Sequence, residues 1–298
     1  MSRALRAATR GSRLARTQTD LVAALLGADV AVEPLVVETE GDKVTDRPIW
    51  EIGGRGVFVK EVQAAVLEGR ADFAVHSAKD LPSATVDGLV IAAVPARGDA
   101  RDALVGGRFD SLPPGARVGT GSVRRRAQLA WLRPDLTFAG LRGNMETRLS
   151  KAKDFAAIVV ATAALDRLGR MADVTEILSS ELLVPQVGQG ALAVECRADD
   201  AGTLAALGAI EHVPSRRAVD AERAWLDAVG GGCDLPVGAH ARVDDDGCIR
   251  LTAMIATPDG RVMLRASADG DDPVAVGRRL ARHLLDDAGG ASLLADLR

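Results

Sequence analysis

The sequence predicts an α/β protein, with two α/β domains followed by a smaller α+β domain. Three observations point there. Short apolar runs of strand character alternate with helical spacing from Leu5 to Leu168, the pattern of parallel strands joined by right-handed crossovers. A further apolar run, Ala191–Cys196, follows the second such series, so the chain is expected to cross back into the first domain. Beyond it the pattern changes to a helix, three strand-like runs and a closing helix. The length, 298 residues, exceeds what a single hydrophobic core usually organises.

Taken in order, Leu5–Ala8 reads as a strand, and Ser12 is placed to cap a helix running to Leu26. Val32–Glu38 is a second strand. Residues 39–56 are polar and glycine-containing, long for a connection, and read as a mobile or functional loop. Val57–Leu67 has helical spacing, while Asp72–His76 and Leu89–Val94 are short strands. A second domain begins near Asp99. Its strands are expected at Arg117–Gly119, Thr137–Ala139 and Ala157–Ala161, and its helices at Ser122–Leu132, Asn144–Lys153 and Thr162–Leu168. Pro214–Val229 then reads as a helix, followed by Gly230, Gly231, Gly232 and Cys233. Strands at Val237–Val243, Cys248–Ile255 and Arg261–Ala268 are separated by Asp-Gly turns, and a helix over Pro273–Asp286 closes the chain. The expected domains are 1–98 with 186–210, then 99–185, then 211–298. No internal repeat stands out.

Composition removes several classes of function. A net charge of −4, no tyrosine, five Phe and three Trp leave little to grip or stack nucleic acid. No apolar run is long enough for a membrane-spanning helix, and the N-terminus lacks the apolar region of an export signal. Cys196, Cys233 and Cys248 have no metal-ligand spacing and suit free thiols in a reducing compartment. His76, His212, His240 and His283 are scattered, so no metal site is expected. Arginine outnumbers lysine 32 to 5, a ratio that codon drift explains but that draws attention to each retained lysine.

Three clusters could carry chemistry. Arg124, Arg125 and Arg126 open a helix after Gly119-Thr120-Gly121-Ser122, and Arg142 and Arg148 flank the next strand-to-helix junction. Helix N-termini and guanidiniums at strand ends suit carboxylates or phosphates. His76-Ser77-Ala78-Lys79-Asp80-Leu81-Pro82 sits at another strand end, where a carboxylate could move a proton or stabilise a cation. Cys233 follows three glycines, which leaves its sulfur uncrowded for nucleophilic attachment, although an isolated cysteine is more often structural.

Seven segments, in register along the whole chain, resemble the porphobilinogen deaminase family. They are Ala8–Ser12, Gly53–Glu61, Ala74–Pro82, Val118–Arg125, Leu141–Asn144 with Thr147–Leu149, Val187–Ala191 with Glu195–Arg197, and Gly231–Cys233. The resemblance implies two periplasmic-binding-protein-like (type II) α/β domains plus a small C-terminal α+β domain. It implies a transferase that joins four porphobilinogen molecules head to tail, releasing ammonia, to give hydroxymethylbilane. It further implies a dipyrromethane cofactor held by a thioether to Cys233, with Asp80 as the catalytic carboxylate. Lys79, Asp80, Ser77, Thr120, Ser122, Arg124, Arg125 and Arg142 would hold the cofactor, and Arg10, Ser12, Arg55, Phe58, Arg148 and Gln189 the substrate. A cytoplasmic monomer is the expectation that goes with it.

Three positions depart from the family pattern: Arg55 where lysine is frequent, Glu40 where arginine is frequent, and Gly121 where serine is frequent. Two other readings compete. A non-catalytic binding protein for an anionic small molecule would share the fold but should carry an export signal and needs no thiol domain. A nucleic-acid-binding regulator is disfavoured by the charge balance and the scarce aromatics.

Overall fold

A computed structural model describes residues 4–39, 56, 59–231 and 235–295. In chain order the strands are β1 (Leu5–Arg10), β2 (Val32–Val37), β3 (Phe73–Ser77), β4 (Leu89–Ala93), β5 (Asp102–Gly106), β6 (Arg117–Gly119) and β7 (Thr137–Ala139). They continue with β8 (Ala157–Ala161), β9 (Glu176–Leu178), β10 (Leu192–Arg197), β11 (Val237–Val243), β12 (Ile249–Ala256) and β13 (Met263–Gly270). The helices are α1 (Arg13–Leu26), α2 (Lys60–Leu67), α3 (Val123–Leu132), α4 (Met145–Ser150), α5 (Thr162–Arg167), α6 (Ala201–Gly208), α7 (Val213–Ala228), α8 (Pro273–Arg282) and α9 (Gly290–Ala295).

The chain forms two compact units, 1–98 with 191–216 and 99–190 with 217–298. The first holds a sheet of order β2-β1-β3-β10-β4, in which β1 runs parallel to β2 and β3 while β10 is antiparallel to both neighbours. Its central strands are buried on both faces, each of which is covered by helices. On one face Ala7, Phe73, Val75, Leu192 and Val194 pack with Val22 of α1 and Leu207 of α6. On the other, Ala8 and Ala74 meet Val62, Ala65 and Val66 of α2.

The second unit repeats that topology. Its α/β sheet has the order β7-β6-β8-β5-β9, with β6 parallel to β7 and β8 and with β5 antiparallel to β8 and β9. In each sheet the strand brought in by the crossing chain, β10 or β5, is inserted antiparallel between the third and fourth strands. This is the type II periplasmic-binding-protein arrangement that was expected. The expected parallel pairing holds for β1 with β2 and β3 and for β6 with β7 and β8, while the strand that enters from the crossing segment runs antiparallel to its neighbours.

The C-terminal residues form the antiparallel sheet β11-β12-β13, with α7 and α8 packed on it around Trp225, Leu251 and Leu280. This is the expected α+β element, but it shares one unit with the second α/β sheet. Ala127 of α3 and Val184 pack directly on Met254 and Ala256. The segment that returns to the first unit spans 191–216. In addition, β5, β9, α6 and α9 had not been expected as elements, and the helix expected to reach Lys153 ends at Ser150.

Candidate active site

In the first unit the site residues gather at the carboxyl ends of β1 and β3, which are parallel neighbours. Arg10 ends β1, and Ser12 caps α1 by accepting from Ala15 N at 3.3 Å. Ser77 ends β3 and leads into one turn of 3-10 helix, Ala78–Asp80. That turn is fastened at its start, where Ala78 N donates to Ala191 O at 3.0 Å, and closed where Leu81 N donates to Ala78 O at 3.3 Å. Gln18 Nε2 of α1 donates to Ser77 Oγ at 2.8 Å, tying helix to strand end. A cavity at this point is lined by Arg10, Ser12, Gln18, His76, Ser77 and Asp80, with apolar walls from α1 and α2. Asp80 and Lys79 are half-buried. A carboxylate and a guanidinium therefore line the same small cavity.

In the second unit the corresponding strand end is built the same way. Thr120 follows β6, and its Oγ1 accepts from Ser122 N at 3.2 Å; Ser122 caps α3 by accepting from Arg125 N at 3.4 Å. An ideal Cβ on Gly121 would lie 2.8 Å from Leu141 O, so the turn as built has no room for a side chain there. Arg124 and Arg125 do not line an open surface. They are 3% and 5% exposed, and both reach Asp102, the wholly buried first residue of β5. Arg124 Nη2 donates to Asp102 Oδ2 at 2.8 Å, and Arg125 donates to Oδ1 from Nη2 at 2.7 Å and from Nε at 3.0 Å. Arg124 Nη1 donates to Val184 O and Arg125 Nη1 to Val159 O. Burial by itself would raise the Asp102 pKa, but the two guanidiniums outweigh it and hold the carboxyl well below the usual carboxylate range.

Gln189, expected to touch substrate, is also wholly buried. Its Nε2 donates to Asp102 Oδ1 at 2.8 Å and to Ala100 O at 2.7 Å, so it braces the carboxylate that orders the two arginines. Arg142 and Arg148 lie at the next junction, both half-buried. Gly143, at φ 112°, makes the turn between them; a side chain there would be strained and would collide with Thr147. Asn144 caps α4, and Arg148 Nε folds back to donate to Gly143 O at 2.9 Å.

The structure thus joins Arg10, Ser12, Ser77 and Asp80 in one cavity, and Arg124, Arg125 and Gln189 in one buried network. Cys233, Arg55, Phe58 and Glu40 lie outside the described residues, as does most of the 39–56 loop. Cys196 is buried in β10 and its thiol pKa is pushed up to about 11, chiefly by burial and then by Asp200. Sequence reasoning did not single out Asp102. The signal available was an acid opening the apolar run Asp102-Ala103-Leu104-Val105.

These features also bear on a polyanionic cofactor. Two buried guanidiniums against one carboxylate leave net positive charge at a helix N-terminus, and Arg124 Nε is buried without an acceptor. Arg124 and Arg125 are turned inward, so the donors that suit a multiply carboxylated group are Thr120, Ser122, Arg142 and Arg148 at the strand ends. Among the described residues no cluster of three or more His, Cys, Asp or Glu side chains is arranged to hold a metal.

Two sheets of the same α/β topology each carry cations and hydroxyls at their strand ends, groups of the kind that pair with carboxylates. In the first unit a half-buried carboxylate in the cavity that Arg10 lines adds the means for acid–base work. The family model described as porphobilinogen deaminase, dipyromethane cofactor binding domain, matches residues 5–205, and that of the porphobilinogen deaminase C-terminal domain matches residues 217–286. The chain is 44% identical to the porphobilinogen deaminase of Brevibacillus brevis, over 97% of this chain and 96% of that one. It is 47% identical to that of Roseiflexus sp., over 99% and 100%, and 49% identical to that of Acidothermus cellulolyticus, over 94% and 88%. Among solved structures, an arginine-specific periplasmic binding protein of Salmonella typhimurium covers 70% of the chain at 14% identity, with a TM-score of 0.38. The chain belongs to the porphobilinogen deaminase family.

Proposed function

We propose that this chain is a transferase that joins four porphobilinogen molecules head to tail, with loss of ammonia at each addition, to form hydroxymethylbilane in tetrapyrrole biosynthesis. The observation that carries the reading is Asp80, half-buried in one cavity with Arg10 and Ser12 at adjoining strand ends. Porphobilinogen brings an acetate, a propionate and a pyrrole N–H. Arg10 and Lys79 meet the carboxylates, Ser12 and Ser77 add hydroxyls, and Asp80 accepts from the pyrrole N–H. When the amine departs as ammonia, the positive charge left on the substrate is stabilised by the Asp80 carboxylate at close range.

Thr120, Ser122, Arg142 and the excess positive charge around Arg124 and Arg125 would hold the dipyrromethane side chains, with Cys233 as its point of attachment and Arg148 on the incoming unit. When bound, the cofactor supplies the pyrrole carbon to which the next unit is joined. Arg55, Phe58 and Gln189 complete the reading of the substrate set, Gln189 through Asp102 rather than by contact. The protein acts in the cytoplasm as a monomer on a small molecule, with neither nucleic acid nor membrane as partner. Among the described residues no helix is long and apolar enough to cross a membrane.

Intact mass tests the attachment. The purified protein should exceed its sequence mass by two pyrrole units, and Cys233→Ser should lack them; an unmodified but active enzyme would refute it. Asp80→Asn should load cofactor yet lose at least 100-fold in turnover, the range of a lost acid–base or electrostatic group. Wild-type consumption of porphobilinogen by that variant would remove Asp80 from the mechanism.

A further inference from the structure

Three polar side chains are buried together on the face of the first sheet that α2 covers, just behind the Asp80 cavity. His76 of β3, Glu195 of β10 and Gln63 of α2 are 5%, 2% and 5% exposed. In the antiparallel register Ala193 lies opposite His76 and Ala74 opposite Glu195, which makes His76 and Glu195 diagonal neighbours on one face. His76 Nε2 is 3.1 Å from Glu195 Oε2, and the same oxygen accepts from Gln63 Nε2 at 2.8 Å. His76 also lines the cavity that Asp80 lines, whereas Glu195 does not.

A carboxylate and an imidazole are costly to bury, and apolar groups of similar volume hold a sheet together at least as well. The positions opposite them on this same face are alanines, so the local packing does not call for polar residues. What distinguishes the location is the strand end. His76 is one residue from the end of β3, and the turn that carries Asp80 starts two residues after it. Glu195 sits on the strand entered just after Ala191, whose carbonyl receives Ala78 N. The polar trio and the Ala78–Ala191 hydrogen bond therefore clamp the same strand pair on either side of the turn's origin.

We propose that Glu195, acting through His76, is a positioning residue for the reaction: it fixes the ring that walls the cavity and the strand end from which Asp80 is presented. This rests on Asp80 acting as proposed above. Gln63 holds the carboxylate in place from α2, so the three side chains lock the helix, the inserted strand and the catalytic strand to one another. The consequence falls on the orientation of Asp80 toward the reacting bond rather than on the affinity of the cations for substrate.

The test uses holoenzyme. Glu195→Gln keeps the side-chain shape and an oxygen for Gln63 but removes the charge that faces His76. It should lower kcat about 10- to 100-fold, as small misplacements of a catalytic group do. The KM for porphobilinogen should stay within about twofold, because ground-state contacts are untouched. Cofactor content by intact mass and the melting temperature should match the wild type. His76→Gln should show the same split, and it decides the matter if Glu195→Gln does not fold. Wild-type kcat in a folded variant, a rise confined to KM, or a loss that tracks cofactor content or melting temperature would each overturn the proposal. Should Asp80→Asn be inactive while Glu195→Gln is normal, only this inference fails; should Asp80→Asn be normal, the reading of Asp80 fails with it.

Discussion

Asp102 shows how one residue changes the meaning of its neighbours. Arg124 and Arg125 are legible in the sequence as cations at a helix start, and their local structure is as expected. Their direction is not legible, because the partner lies 22 and 23 residues away on a strand with a weak signal. Removing that partner leaves two guanidiniums buried without compensation. Asp102→Asn should therefore cost about 3–5 kcal/mol in urea unfolding at pH 7, as broken buried pairs do. The same pair sets a pH dependence. Because the folded carboxyl is held below its unfolded value of about 4, its stabilising contribution is whole above that pH. Below that pH the unfolded chain takes up a proton that the folded Asp102 does not, so the contribution fades and the melting temperature should fall below pH 4 in the wild type. That fall should be shallower in Asp102→Asn; an equal slope would place the acid sensitivity elsewhere.

Elements were legible where the signal is local. Ser12, Ser122 and Asn144 each cap the helix that follows, by accepting from a backbone N–H three residues on. Asp272 does the same for α8, accepting from Ala275 N at 2.6 Å, with Pro273 at the first helical position. Asp272→Ala lies far in sequence from every proposed site residue and should cost about 1 kcal/mol in thermal or urea melts, with kcat unchanged. An unaltered melt would mean that the cap is replaced by solvent. The strands β5 and β9 were not legible: β9 spans three residues, and β5 opens with a charged one, so neither offers the apolar alternation that marks a strand. Both owe their state to pairing, β5 with β8 and β9 with β5.

Across the whole molecule the unexpected result is repetition. No repeat stands out in the sequence, yet both α/β sheets have the same strand order with one inserted antiparallel strand. A Gly-Ser pair follows β1 and β6, at Gly11-Ser12 and Gly121-Ser122, and each serine caps a helix beside the site residues. The C-terminal sheet adds a core of its own. Trp225 is fully buried there among residues of β11, β12 and α8. Trp225→Ala should destabilise by about 3–5 kcal/mol through lost burial and a residual cavity. In denaturant titrations that loss should appear in the transition of the second unit, and a change below 1 kcal/mol would show that this core collapses freely around the gap.

By itself the sequence determined the kind of chain this is: its alternation of strands and helices, its caps, the crossing at Ala191, and a motif set that runs the length of the porphobilinogen deaminase family. These are short-range signals, written in periodicity and in neighbouring residues. Tertiary structure alone decided which strand is inserted antiparallel, and that Arg124 and Arg125 turn inward to Asp102. It also brought His76, Glu195 and Gln63 together behind Asp80. Such outcomes depend on which groups meet once distant strands pair, and a buried charge takes its role from the partner it meets there.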